Sequence, residues 1–231
     1  MGLPCYNFWM NLLRKILENP IGMIVISCFL IVFNSYPAFV LFGGEVFSIR
    51  DSLPFLLTAD FSALLIMFGI PFLIIKFVFN KRLENFGLCK PLDLTRAVKL
   101  SSFVVLLLIP FLYFLANQAS FKEYYAIKQG FSLFFLVATL GSGLYYFAEE
   151  FIFRGFLFFG LWERLRFHSF WVINLIFALF HISKPVPEVF LAFFSGLLLT
   201  YLSYKTKSFI PSVAVHFTIA LILNIFVIIS Q

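Results

Sequence analysis

Charged residues are scarce in this sequence. Only 12% of its 231 residues are charged, whereas 62% are hydrophobic. A soluble globule of this length needs far more charge to cover its surface. Long apolar stretches instead recur from one end of the chain to the other, separated by short polar interruptions. The composition therefore excludes an ordinary soluble domain and indicates a protein that lies largely within a lipid bilayer.

Cysteines are also few, and the basic residues form no continuous stripe. Cys5, Cys28 and Cys89 make an odd set without metal-ligand spacing, so neither a disulfide framework nor a zinc knuckle is predicted. The net charge of +6 comes from small groups of Lys and Arg between apolar runs, and no nucleic-acid partner is expected. No fixed-period repeat or low-complexity linker divides the chain. We predict a single integral membrane domain over residues 1–231.

Seven apolar runs are long enough, or nearly so, to be transmembrane helices, because a hydrocarbon core of about 30 Å needs about 20 helical residues. They lie at 21–42, 56–79, 98–117, 131–163, 169–183, 188–204 and 209–229. The run 131–163 exceeds one span, and Gly141-Ser142-Gly143 offers a break, so an additional short or re-entrant helix remains open. The sequence predicts an all-α fold, a multi-pass transmembrane bundle of seven to eight helices.

The distribution of basic residues predicts the orientation of this bundle. If seven spans alternate and the N-terminus is inside, eleven Lys and Arg residues lie on the cytoplasmic side and four on the other side. Cytoplasmic loops of membrane proteins carry an excess of Lys and Arg. We therefore expect a cytoplasmic N-terminus and an outward C-terminus.

Most ionisable residues lie near span ends, but Glu149, Glu150, Arg154, His181 and His216 lie within the apolar runs. Such residues are costly in lipid and indicate function, although they can also pair with one another to fasten helices. Glu150 and Arg154 are four residues apart, which favours an ion pair, whereas Glu149 points about 100° away. If the helix of Glu149 starts near Gly141, the carboxylate and both imidazoles lie about 12–18 Å from a span end. Three helices would then bring them to a similar depth.

This set of side chains suits hydrolysis by an activated water. A buried carboxylate can accept a proton from water and return it to a leaving amine. Histidines can orient the water, stabilise an oxyanion or bind a metal. No Ser, Cys or Thr stands within the set as a nucleophile, since Ser142 and Ser183 lie toward span ends. A divalent metal such as zinc, held by Glu149, His181 and His216, remains open, although the two histidines lack the close His-x-x-x-His spacing of soluble zinc peptidases.

Three motifs in order resemble a known family. Glu149-Glu150-Phe151-Ile152-Phe153-Arg154 is a Glu-Glu-x-x-x-Arg motif, Phe177 to His181 is a Phe-x-x-x-His motif, and His216 begins a third motif about 35 residues further on. Together they are similar to the motifs of type II CAAX prenyl endopeptidases and bacteriocin-processing (CPBP, Abi) intramembrane proteases. The motif region spans about residues 141–224, and the segment 86–91 is similar to a loop common upstream.

The resemblance implies an intramembrane endopeptidase. Glu149 would activate water together with His181, and His216 would hold the substrate carbonyl oxygen with an Asn four residues later. Position 220 is Ala instead, and Asn224 lies about 12 Å from His216 by axial rise. The implied partners are the lipid bilayer and a hydrophobic or membrane-anchored peptide or protein substrate, which need not be prenylated. This short chain with minimal loops looks more like the prokaryotic members than the eukaryotic ones, which implies a prokaryotic cytoplasmic membrane.

Two other classes of function are compatible with part of the sequence. The chain could be a non-catalytic membrane partner or a bacteriocin-immunity protein, in which the polar residues only tie helices together. Ala220 favours this alternative, and the combination of Glu149 with both histidines argues against it. A transporter ranks below both, because no two halves with matching broken helices are visible.

Overall fold

The computed structural model describes residues 4–34, 37, 53–125 and 130–231, and helices form most of these segments. No β-strand occurs within them, and the predicted all-α fold class is confirmed. A 3-10 turn at Leu83–Phe86 precedes the fourth helix. In chain order the helices are α1 (Pro4–Glu18), α2 (Pro20–Phe33), α3 (Leu53–Val78), α4 (Leu94–Ala116), α5 (Ala119–Tyr124), α6 (Leu133–Glu150), α7 (Gly160–Leu165), α8 (His168–Phe180), α9 (Val186–Thr206) and α10 (Ile210–Ser230).

Each of the seven predicted apolar runs coincides with a helix or part of one. By length and composition α3, α4, α9 and α10 can cross a membrane, and α1 with α2 would make a fifth crossing if this pair, bent by 87°, were one span. The helix α8 is apolar but has only 13 residues. The run 21–42 continues beyond α2 into positions outside the described segments. The predicted number of seven to eight spans is therefore approximate.

The expected break at Gly141-Ser142-Gly143 is wrong, because α6 runs through these residues without interruption. Gly141 allows close packing of α6 on α3, since a Cβ there would lie 2.5 Å from Asp60 Oδ2. The Ser142 hydroxyl donates a hydrogen bond to the Thr139 carbonyl oxygen at 2.7 Å and so remains compatible with helix. The start at Leu133 also corrects the expected depth of Glu149, which lies about 24 Å along α6 by axial rise.

A π-helical segment, Phe151–Phe159, joins α6 to α7 and forms the centre of the larger apolar cluster. Its Phe side chains at 151, 153, 156 and 158 are fully buried. The segment packs on α8 and α9, while α6 packs on α3 and α10. A second cluster lies between α4, α9 and α10. Because lipid is as apolar as these side chains, close packing and polar contacts, rather than exclusion of water, hold such helices together.

Candidate active site

Both predicted glutamates lie at the junction between α6 and the π-helical segment. Glu149 and Glu150 are the last residues of regular α-helix, and Arg154 lies in the first π turn. Their exposed fractions are 2% for Glu149 and 0% for Glu150 and Arg154. A π segment inside an α-helix often occurs at a functional site, because it displaces side chains from the regular helical register.

Arg154 forms the predicted ion pair and contacts two further helices. Its Nη1 donates to Glu150 Oε1 at 3.2 Å, and its Nη2 donates to Asn174 Oδ1 and to the Gly196 carbonyl oxygen, each at 3.3 Å. The guanidinium carbon lies 4.1 Å from the centre of the Phe177 ring. A Cβ at position 196 would lie 2.5 Å from Asn174 Oδ1, so glycine permits this approach. Arg154 therefore joins the π segment to α8 and α9.

Glu150 also contacts His216, which the sequence did not predict. His216 Nδ1 lies 2.8 Å from Glu150 Oε1 and 3.9 Å from Glu149 Oε2. Because a carboxylate accepts hydrogen bonds, this contact places a proton on Nδ1 and leaves Nε2 as the other ring nitrogen. The Tyr146 ring lies 4.5 Å from the imidazole, centre to centre. Glu150 thus orients His216 as well as pairing with Arg154.

His181 lies in the turn directly after α8 rather than inside a helix. Its Nδ1 donates to the Phe177 carbonyl oxygen at 2.8 Å, which leaves the Nε2 lone pair as the acceptor. The Phe177 ring lies 4.6 Å from the His181 ring and 5.9 Å from the His216 ring, centre to centre. Phe177 therefore separates the two imidazoles and supports both.

Two cavities meet at these residues. The larger, of about 640 Å³, is lined by Glu149, His181 and His216. The smaller, of about 330 Å³, is also lined by both histidines and continues along α10 past Ala220 and Asn224. The structure therefore brings the three predicted catalytic residues to one cavity. Asn224 lines the same cavity as His216, although it lies two helical turns away.

A second polar cluster lies at the smaller cavity and was not predicted. The Tyr125 hydroxyl donates to Glu188 at 2.7 and 2.8 Å, and Lys184 Nζ donates to Glu188 Oε1 at 2.8 Å. Burial opposes the charge of Lys184, but Tyr125 and Glu188 outweigh it and hold the pKa of Lys184 well above its ordinary value. Lys184 lines both cavities, so its ammonium group lies near the three predicted catalytic residues.

Several residues that support the site were not identified from the sequence, although the sequence pattern could have indicated some of them. Tyr146 precedes Glu150 by four residues and so shares its helix face. Asp60 interrupts the run 56–79 and satisfies the same criterion of an acid within an apolar run. It is buried against Gly141. No sequence pattern indicates Asn174 or Gly196, because they contact Arg154 only through the packing of α8 and α9 in the folded chain.

The sequence left open whether a metal ion is bound at this site. In the segments that the structure describes, no group of three or more His, Cys, Asp or Glu side chains is arranged to hold one. The Nδ1 atoms of His216 and His181 are engaged by Glu150 and by a backbone carbonyl, which leaves Nε2 of each ring as the other possible ligand atom. The suggestion of a metal held by Glu149, His181 and His216 stays a prediction.

Comparison with known families identifies the region that contains the site. Residues 128–222 match the family model of type II CAAX prenyl endopeptidases, Rce1-like, and include the two glutamates, Arg154 and both histidines. This is a family of proteases. No curated protein matches the chain, and no solved structure does. The chain is an integral membrane protein whose residues 128–222 are similar to the Rce1-like type II CAAX prenyl endopeptidases, and the resemblance predicted from its three motifs is confirmed.

Proposed function

We propose that the protein is an intramembrane endopeptidase that cleaves membrane-associated proteins or peptides with a water activated by Glu149. The observation that carries this proposal is the larger cavity, which has Glu149, His181 and His216 on its wall. These side chains come from α6, the turn after α8, and α10, so only the folded bundle brings them together. If these polar residues served only to hold helices together, no cavity would be needed beside them.

In the proposed reaction Glu149 acts first as base and then as acid. The Glu149 carboxylate takes a proton from a water whose other hydrogen is held by the Nε2 lone pair of His181. The water oxygen then forms a bond with the carbonyl carbon of the substrate. When the C–N bond breaks, Glu149 returns its proton to the leaving amine, and the products are a carboxylic acid and an amine. The hydrogen bond from His181 Nδ1 to the Phe177 carbonyl presents the required tautomer.

His216 is the proposed partner of the negative oxygen that forms during attack. Its Nδ1–H is held by Glu150, so Nε2 is the ring nitrogen that can face the oxyanion. For Nε2 to donate to the oxyanion while Nδ1–H is held by Glu150, the ring must carry a proton on both nitrogens. Donors fixed in advance at such a position stabilise the transition state without reorganisation.

The substrate is proposed to reach Glu149 from the bilayer. The larger cavity extends to Val32 on α2 and Leu179 on α8, which are 74% and 55% exposed. Large apolar side chains with this exposure face lipid in a membrane protein. An apolar or lipid-linked segment could therefore enter between these helices without crossing water.

The test compares membrane peptidomes of cells that contain the wild-type protein or Glu149→Gln at equal abundance. Peptides that depend on Glu149 are expected to disappear in the variant while its stability in detergent remains near that of wild type. Glu163→Gln is the matched control, because the Glu163 side chain is 76% exposed and lies outside the cavities. Identical peptidomes for wild type and Glu149→Gln would contradict the proposed activity.

The non-catalytic alternative has one observation in its favour. Ala220 lines the smaller cavity beside His216, at the position where the resembling proteases have an amide donor. A membrane partner or immunity protein would need the polar cluster only to hold its helices together. It would show no Glu149-dependent peptide in the comparison above.

A further inference from the structure

The first helix lies across the direction of the second. The axes of Phe8–Glu18 and Pro20–Phe33 differ by 87°. If α2 runs along the membrane normal, α1 lies parallel to the membrane plane. Three residues at the turn between α1 and α2 are compatible with this angle. Asn19 caps α2 by accepting from the Ile21 N–H at 2.9 Å, and Pro20 occupies its first position. Gly22 packs directly against the Ile16 carbonyl oxygen, where a Cβ would clash.

The helix α1 separates apolar from polar side chains. At 100° per residue one half of its surface is apolar and remains exposed in the folded chain. Its exposed members are Phe8, Trp9, Leu12, Leu13 and Ile16. Asn11, Arg14, Lys15 and Glu18 occupy the opposite half. Leu17 is partly buried and packs against the larger apolar cluster, so the bundle covers only the edge of the helix.

The surroundings of α1 indicate what covers its apolar half. This half continues into exposed apolar side chains of α2, such as Ile21 and Val25, which are 73% and 61% exposed. The helix also contacts the segment Ile74–Val78 of α3, which carries Lys76 and precedes Lys81 and Arg82. The same end of the bundle therefore presents apolar side chains toward the acyl chains and basic side chains toward the headgroups.

We propose that α1 is an in-plane membrane anchor that lies at the boundary between acyl chains and phosphate headgroups. Its apolar half enters the acyl region, while Arg14 and Lys15 remain among the headgroups, where anionic lipids attract them. Because α2 contributes Cys28, Ile31 and Val32 to the wall of the larger cavity, the anchor also holds one wall of that cavity at a fixed height. The anchor does not depend on peptidase activity.

Fluorescence quenching of Trp9 tests the depth of α1 in liposomes that contain the full chain. Trp162→Phe and Trp171→Phe make Trp9 the sole reporter. Lipids brominated near the carboxyl end of the acyl chain should quench Trp9 more than lipids brominated near the terminal methyl. The matched reporter is Phe29→Trp in a chain with all three native Trp residues replaced by Phe. It lies about 13 Å along α2 and should show the reverse order.

A pair of substitutions on α1 separates lipid contact from structural effects. Leu13→Glu on the apolar half should increase quenching of Trp9 by aqueous acrylamide at least twofold, and Asn11→Glu on the polar half should leave it unchanged. Strong acrylamide quenching of the unsubstituted reporter would overturn the proposal, as would stronger quenching by deep than by shallow bromines. Protection of Trp9 from both lipid bromines and acrylamide would also overturn it and would assign the apolar half to a second copy of the chain.

Discussion

Arg154 shows how a fully buried charge can be held within a membrane protein. Its guanidinium contacts a carboxylate, an amide oxygen, a backbone carbonyl and the face of an aromatic ring. Removing a charge from water costs several kcal/mol, and a buried pair is stabilising only when additional hydrogen bonds satisfy both partners. Even so, Arg154 Nε and Glu150 Oε2 have no partner among the described atoms. Either member of the pair is therefore sensitive to loss of the other.

Arg154→Gln and Glu150→Gln should each lower the free energy of unfolding by about 3–5 kcal/mol, because each leaves a buried charge without its partner. Glu150→Gln should in addition reduce turnover of the folded fraction, since it weakens the hydrogen bond that orients His216. Thermal unfolding in detergent and turnover per folded molecule are the measurements. Arg82→Gln is the control, with a change of about 0–1 kcal/mol, because that side chain is 81% exposed. A fully stable but inactive Glu150→Gln protein would show that Glu150 acts in the chemistry.

Ala220→Asn should raise turnover by up to about 10²–10³ if a missing oxyanion donor slows the enzyme. Residues 216 and 220 are four apart and share a helix face, and both line the smaller cavity, so the amide would project beside His216. The cavity of about 330 Å³ has room for the larger side chain. Cleavage of a substrate found in the peptidome comparison should be measured for both forms at equal abundance. An unchanged or lower rate in a well-folded variant would mean that another group holds the oxygen.

At the scale of one element, α6 shows why glycine alone did not predict the local structure. Glycine weakens an isolated helix, and Gly141-Ser142-Gly143 therefore favoured a break. Close packing of helices in a membrane also favours glycine, because backbones can then approach each other. At Gly141 the second effect decides the structure, since the Asp60 carboxylate of α3 occupies the space of a side chain.

Gly141→Ala should be less stable than Gly143→Ala by about 1–3 kcal/mol, the usual penalty of overpacking. Both changes gain the same helix propensity, but only the Cβ at 141 meets Asp60 Oδ2 at 2.5 Å. The nearest atom to a Cβ at 143 is a Phe217 ring carbon at 3.6 Å, an ordinary contact. Unfolding in detergent compares the two variants, and Asp60→Ala should rescue Gly141→Ala. Equal stability of the two alanine variants would argue against the close α3–α6 contact.

At the scale of the molecule, sequence reasoning identified the membrane class, the helical fold and the three motifs. These follow from local patterns, namely apolar runs, charges within them and residues four apart on one helix. The contacts that complete the site depend on which helices become neighbours. Asn174 belongs to the site only because it accepts a hydrogen bond from Arg154. The hydrogen bond between His216 and Glu150 joins residues that are 66 positions apart in the sequence. The 87° angle between α1 and α2 was missed for the same reason, because only the folded chain shows it.

The two ends of the bundle differ in charge and in the chain segments that they hold. At one end the Phe209 N–H donates to the Gly87 carbonyl, and the Leu92 N–H donates to the Thr206 carbonyl. At the other end Lys122 donates to the carbonyl of Ser230, beside the C-terminus. Most basic connections belong to the first end, as expected for a cytoplasmic face.

Residues 81–99 should therefore face the cytoplasm and the C-terminus should face outward. Cysteines introduced at Asn85 and Gln231, in a chain whose native cysteines are replaced by serine, would react with a membrane-impermeant thiol reagent from opposite sides of sealed vesicles. Asn85 lies in the 3-10 turn that precedes α4, and Gln231 follows the end of α10, so each side chain reports one end of the bundle. Right-side-out and inverted vesicles should give reciprocal labelling.

Because an odd number of crossings separates the segment 81–99 from the C-terminus in the seven-span arrangement, labelling of both sites from the same side would require one crossing more or fewer. Such a change could occur in the run 131–163, which exceeds a single span, or at α8, which has only 13 residues.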